Sequence, residues 1–355
     1  NLTKQSRQGS MRGREDMKTM QKLIAEQMKK TPWLTGCGLP LVGVGGTARS
    51  IGKVEEKRIK YFTAKLHNFQ FDIADFAIWY KGLLSTPPGM RRRIPGLSSD
   101  RADVIVAGSS IIKALADKCN SKKLIISGCG LREGLFCEYR HQHENMPLIT
   151  PNILETSRND MIHQYVPDEE HARLVARFAL RIFDGWKRFH KLPEKRWRDL
   201  VETAALLHDT GITINYYNHT RHSGYIIENA RLFGMSHMDI VFASIIAAWH
   251  HGVNRSYLRN KPYRKLITDK DIEDLTRAAV IVAIAESLDH PHMGDILDVE
   301  ARDLDEAAQL TLIARKDPLI EMKQLNALMK WIRKTLGTPV TVVVKLLPNG
   351  STRKE

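Results

Sequence analysis

Three separated stretches of the chain carry histidine and aspartate in an arrangement suited to holding a metal. His171 lies among Leu174, Val175 and Phe178, apolar residues at helical spacing that point it inward. The run Leu206-Leu-His-Asp-Thr-Gly211 ends a second helical pattern with the adjacent pair His208 and Asp209. Asp289 closes a third, on the face shared by Ala278, Val282 and Ala285. Imidazole nitrogens and carboxylate oxygens together suit Mn, Fe, Zn, Ni or Mg, according to geometry. His222, His250 and His251 are further candidates, for a second metal or for a substrate phosphate. His219, His290 and His292 are read as surface residues or as basic groups near an anion path. The same set equally suits a hydrogen-bonded core cluster, and the residues alone leave both readings open.

A second feature points to phosphate. Leu41-Val-Gly-Val-Gly-Gly-Thr-Ala-Arg49 puts a glycine-rich loop between an apolar strand and a helix. Such a loop lets backbone amides approach a phosphate, and the helix amino end adds partial positive charge. Gly43, Gly45, Gly46, Thr47 and Arg49 are the candidate phosphate-binding residues. Many strand–helix turns need glycine for backbone reasons alone.

The loop is followed in order by Pro95-Gly-Leu-Ser-Ser-Asp-Arg-Ala-Asp103, by Ala107-Gly108, and by Ser127-Gly-Cys-Gly-Leu-Arg-Glu-Gly134. With these motifs the chain resembles the exopolyphosphatase / guanosine pentaphosphate phosphohydrolase (Ppx/GppA) family, in the second of its two actin-like domains. The separate His, His-Asp and Asp resemble the signature of the HD superfamily, and the first family carries such a domain. The resemblance implies a partial actin-like, ribonuclease H-like α/β domain followed by an all-helical HD domain. It implies hydrolysis of a terminal phosphoanhydride, in inorganic polyphosphate or guanosine pentaphosphate. Mg²⁺ is the implied cofactor, with a further divalent metal in the HD domain. The phosphate-binding residues would face the family's cleft. Arg132 and Glu133 acquire no role, and a structural ion pair is expected of them. The family's catalytic carboxylate and its Asp-x-Gly-Gly-Gly-Ser loop find no match; Asn1-Leu-Thr3 resembles the stretch just after that loop. The expectation is a fragment, or a processed chain, without the main catalytic carboxylate.

The elements that must position these residues follow from pattern. Up to about residue 148, helices over 13–29, 47–56, 72–84 and up to about 117 alternate with strands at 39–44 and 123–127; a further helix starts at Leu131. That is an α/β pattern with few strands. Residues 149–168 read as a polar, proline-containing linker. Residues 169–294 are almost wholly helical, and Thr268 to Asp271 forms a capping box. Residues 295–355 read as a small α/β appendage: strands at 296–299, 309–313 and 340–346, with a helix over 319–336.

Composition narrows the classes. The 355 residues are 43% hydrophobic, enough for real cores. Cys37, Cys119, Cys129 and Cys137 form no C-x-x-C pair. They are expected to be small buried hydrophobes in a reducing cytoplasm. The longest apolar run, Ala278 to Ala285, is too short to span a membrane. The net charge of +14 favours polyanion partners. Polyphosphate and guanosine penta- or tetraphosphate lead. No nucleic-acid-binding module is recognised and aromatics are only 7%, which sets nucleic acid last. A homodimer is compatible with the resemblance. Two other functions compete with the exopolyphosphatase reading: a metal-dependent HD nucleotide phosphohydrolase, and a polyanion- or alarmone-binding module without turnover.

Overall fold

The computed structural model describes residues 14–305 and 307–347, so Asn1 to Thr3 and Gly13 lie outside them. The chain divides into two units, 1–149 and 150–355.

In the first unit the described elements are α1 (Arg14–Lys29), β1 (Leu41–Gly43), α2 (Gly46–Arg58), β2 (Phe69–Asp72), α3 (Ile73–Ser85), α4 (Ile105–Cys119), β3 (Lys123–Ile126) and α5 (Leu131–Glu144). The sheet runs β1-β3-β2. β1 and β3 are parallel, with Gly43 beside Ile126, while β2 is antiparallel to β3. β2 is absent from the sequence reading although its pattern is clean. Phe69 and Phe71 point into the core while Gln70 and Asp72 face out, but four residues give a period of two little length in which to show. Met20 and Ile24 of α1, Phe76 and Leu83 of α3, and Ile105 and Val106 of α4 pack with them.

Only Cys119 is buried; Cys37, Cys129 and Cys137 are exposed, contrary to expectation. Cys37 precedes β1 in a loop and Cys129 follows β3, while Cys137 lies on α5, a helix with no buried residue. Arg132 and Glu133 form no direct ion pair, though the Arg132 charge acts on the Glu133 carboxyl. The Glu133 carboxylate accepts the Gly130 N–H at 2.7 Å and closes the first turn of α5.

The second unit contains α6 (Ile153–Tyr165), α7 (Glu169–Gly185), α8 (Glu194–Leu207), α9 (His219–Asn229), α10 (His237–Ala248) and α11 (Asp269–Ser287). They are followed by β4 (Ile296–Leu304), β5 (Ala307–Ala314), α12 (Leu319–Leu336) and β6 (Val340–Leu346). α11 buries residues around most of its circumference, as a central helix must, and the Thr268–Asp271 box starts it. β4 and β5 form an antiparallel pair, and α12 crosses over to bring β6 parallel to β5.

The expected linker is largely helix. Asn152 caps α6 by accepting the Glu155 N–H at 3.2 Å. Its polar sequence hides a buried face held by a charge. Arg158, only 6% exposed, donates to Thr203 Oγ1 at 2.9 Å, Glu202 Oε2 at 2.7 Å and the Asp199 carbonyl at 2.7 Å, all on α8. A helix anchored by guanidinium shows no apolar period for a sequence reading to find. Arg158→Ala should lower the unfolding free energy by about 1.5–3 kcal/mol, the scale for hydrogen bonds to a charged group, since Glu202 stays partly hydrated. Urea denaturation measures it, with Arg158→Lys intermediate because lysine cannot supply the same fork.

Candidate metal centre and glycine loop

In the helical unit four histidines hang from helix ends and turn the same nitrogen inward. His208 follows α8, and its Nδ1 donates to the Ala205 carbonyl at 2.8 Å. His250 follows α10 and does the same to Ala247 at 2.6 Å. His219 opens α9 and donates to Tyr216 at 3.0 Å. His171, in the first turn of α7, gives its Nδ1–H to Asp289 Oδ2 at 2.8 Å. With Nδ1 the donor, a neutral ring leaves its Nε2 as a lone pair. The Nε2 atoms of His171, His208 and His250 are buried and have no hydrogen-bond partner.

Asp209 stands among them. Its Oδ2 lies 3.6 Å from His208 Nε2 and 4.0 Å from His171 Nε2, and its Oδ1 lies 3.4 Å from His219 Nε2. Two three-residue groups result, His171–His208–Asp209 and His219–His250–His251, each with its ligand atoms within 4.8 Å of one another. Asp289 belongs to neither group. Its Oδ2 orients His171, while Oδ1 accepts the Gly294 N–H at 2.8 Å. His222 is outside both groups as well. His219, three residues earlier and read from sequence as a surface residue or a basic group near an anion path, lies in the second group because α9 begins beside it.

Gly211 makes this possible. A β-carbon there would stand 2.1 Å from the His219 carbonyl and 2.4 Å from the Ser223 nitrogen. The turn after Asp209 therefore docks directly on the first turn of α9, with the Gly211 N–H donating to Ser223 Oγ at 2.8 Å.

Burial pushes the His208 imidazole down and the His250 imidazole down to about 3, which keeps both neutral, the form that binds metals. Burial also opposes ionisation of Asp209, but the attraction of the surrounding imidazoles, when charged, outweighs it and holds the carboxyl below its usual range. Sequence reasoning missed Glu286. Burial works against its charge too, yet His251 and His290 hold it well below the ordinary carboxylate value. His290 Nδ1 lies 2.8 Å from Glu286 Oε1, and His292 stacks on His171 with ring centroids 3.7 Å apart. His251, His290 and His292 are the partly exposed rim of an otherwise buried cluster.

In the first unit Gly43 ends β1, Gly45 caps α2 and Gly46 begins it. The Thr47 side chain lies against Gly108 of α4. Arg49 is half-buried. It is close enough to Glu133 that its charge, after the backbone N–H bonds and the charge of Arg132, helps depress that carboxyl. The Arg101 guanidinium lies 2.9 Å from where a β-carbon on Gly46 would stand, so the Arg-Ala-Asp stretch meets the glycine loop in space. Both β1 and β3 end at this edge of the sheet, the side where ligands of parallel α/β sheets bind.

With both sites in view, comparison with known proteins is specific. The model of the Ppx/GppA phosphatase family matches residues 1–143, and that of Ppx/GppA phosphatase domain III matches 153–329. The chain belongs to the Ppx/GppA phosphatase family. Among individual relatives, the guanosine-5'-triphosphate,3'-diphosphate pyrophosphatase of Aeromonas salmonicida is 27% identical over 146 residues, covering 41% of this chain and 28% of that protein. The protein of the same name from Pseudoalteromonas translucida is 27% identical over 157 residues, covering 44% and 31%. The matched part is thus under a third of those relatives' length. A crystal structure of the Aquifex aeolicus Ppx/GppA family member aligns with 24% identity and a TM-score of 0.35, covering 41% of this chain and 47% of that one.

Two glycine substitutions separate steric from conformational need. Gly211→Ala should cost about 1–3 kcal/mol by overpacking, since backbone of α9 must move. Gly45→Ala meets no atom within 4 Å, but its φ of 94° and ψ of −175° suit glycine almost exclusively, at about 1–3 kcal/mol of strain. Thermal unfolding should show both variants destabilised, and crystal structures of the two should show α9 displaced in Gly211→Ala but not in Gly45→Ala.

Proposed function

We propose that this chain serves hydrolysis of a terminal phosphoanhydride, and that its helical unit is an HD-type domain holding a divalent metal on His171, His208 and Asp209. One observation carries this reading. The buried Nε2 atoms of His171 and His208 lie 4.0 and 3.6 Å from the Asp209 carboxylate without a hydrogen bond, and that of His250 is likewise unpartnered, whereas a purely structural cluster would be expected to satisfy them. The donor set of imidazole nitrogen and carboxylate oxygen fits Mn, Fe, Ni or Zn better than Mg. His219, His250 and His251 supply a second position, with Asp209 turned toward both groups through its two oxygens. When bound, such an ion neutralises phosphate charge and lowers the pKa of a coordinated water. The chain's own part is orientation. Asp289 holds the His171 ring, and the Ala205 and Ala247 carbonyls hold those of His208 and His250.

Guanosine pentaphosphate is the first substrate to test, because the relatives quoted above are named for it, and inorganic polyphosphate is the second. The glycine loop, with Thr47, Arg49 and Arg101, is proposed as a phosphate-binding site of the first unit, where Mg²⁺ would accompany the phosphate. The whole reaction of the family also calls on a carboxylate for which this chain shows no matching motif.

The test is metal content and phosphate release together. After Mn²⁺ loading and dialysis, the wild-type chain should retain one to two equivalents (about) of metal. His208→Ala and Asp209→Ala should fall to background, while Asp289→Ala should weaken binding about 10–100-fold, as loss of an orienting partner does. Phosphate release that disappears with His208→Ala places the chemistry at this centre. A wild-type chain that holds no metal overturns the reading and makes the cluster structural. Metal bound without any phosphate release confines the centre to binding.

A further inference from the structure

The segment Ile212-Thr-Ile-Asn-Tyr-Tyr-Asn218 joins Asp209 to His219 and so borders the metal centre on both sides. It is well fixed. Ile214 N–H and Asn215 N–H donate to the Gly211 carbonyl at 3.0 and 3.1 Å. Asn215 Oδ1 accepts the Tyr217 N–H at 2.9 Å. The Tyr216 carbonyl accepts both the N–H and the Nδ1–H of His219, at 3.3 and 3.0 Å. On this rigid segment Tyr216 is 69% and Tyr217 78% exposed, with Ile214 at 55%. The two phenol rings stand edge to face, 6.0 Å between centroids, and Tyr216 lies 5.9 Å from the His219 ring. Two tyrosines held in water, beside a buried polar centre, contribute nothing to the core.

Resting on the metal-centre reading, we infer that Tyr216 and Tyr217 form a stacking platform for the base of a nucleotide whose phosphate is drawn to the His/Asp centre. Charge decides between a base and a length of inorganic phosphate. The chain has 54 Lys and Arg residues, yet residues 212–218 contain no charged side chain. A track for an inorganic polyanion would carry cations there, whereas an aromatic base gains from an aromatic face. The Tyr216 ring is one ring-to-ring step from an imidazole whose Nε2 faces Asp209, so base and phosphate are read by adjoining residues of one turn. Stacking of this kind tolerates different bases, so the platform selects nucleotides as a class rather than guanine alone.

The full chain loaded with Mn²⁺ should be titrated calorimetrically with two probes, guanosine 5′-(β,γ-imido)triphosphate and inorganic tripolyphosphate, with the adenosine analogue as a third. Both nucleotides should bind at least about tenfold more tightly than tripolyphosphate. A Tyr216→Ala/Tyr217→Ala double variant should lose about 5- to 100-fold of nucleotide affinity, leave tripolyphosphate unchanged and keep its metal. Phenylalanine at both positions should restore nucleotide binding, because the ring and not the hydroxyl does the work. Equal binding of nucleotide and tripolyphosphate, or full nucleotide binding by the double alanine variant, overturns the platform while leaving the metal centre intact. A wild-type chain that fails to retain Mn²⁺ overturns both.

Discussion

Burying an imidazole nitrogen without a partner costs free energy, and the helical unit does so at His171, His208 and His250. Much of the surrounding architecture serves to hold those rings in place. Each ring is fixed through its other nitrogen, either by a carbonyl one turn back or by Asp289. Since the carbonyl partners lie in the last turns of α8 and α10, ring orientation is inherited from helix geometry. α7, α8, α10 and α11 have to end or begin at one place, and their apolar faces set where that is. The buried sides of α10 and α11 thus do double service, as core and as the mount for polar ends.

The glycine loop follows a different logic. There nothing polar is buried at a cost; backbone is brought close to open space instead. Gly45 takes a conformation closed to other residues, and Gly46 lets the Arg101 guanidinium settle over the start of α2. One unit prepares a site with orphaned lone pairs, the other with bare backbone and a cation.

How much of this was legible depended on what kind of residue did the work. Amphipathic helices such as α7, with Val175, Phe178 and Ile182 inside, declare themselves by period. The metal-centre candidates His171, His208, Asp209, His250 and His251 were visible because their types are distinctive. Asp289 was visible too, but its hydrogen bond to His171 was not, since a carboxylate turned to a histidine and one turned to a metal look alike in sequence. That His219 rather than His222 lies in the cluster depends on where α9 starts and on the close contact of Gly211 with it, neither of which periodicity reveals. Glu286 hid inside an apolar helix. α6 hid because its anchor, Arg158, is charged. The four-residue β2 was too short to be heard.

One consequence concerns the order of events at the centre. α8, α10 and α11 all finish there, and a helix carboxyl end carries roughly half a negative elementary charge. The amino end of α7 is offset by Asp168, Glu169 and Glu170, and the amides at the head of α9 are largely committed to Tyr216 and Asn218. Asp209 and Glu286 add full charges. The field at this spot therefore draws cations and turns anions away. On the proposed reading a phosphate group would settle only once a cation had reversed that sign, so the metal would come first and the phosphate second.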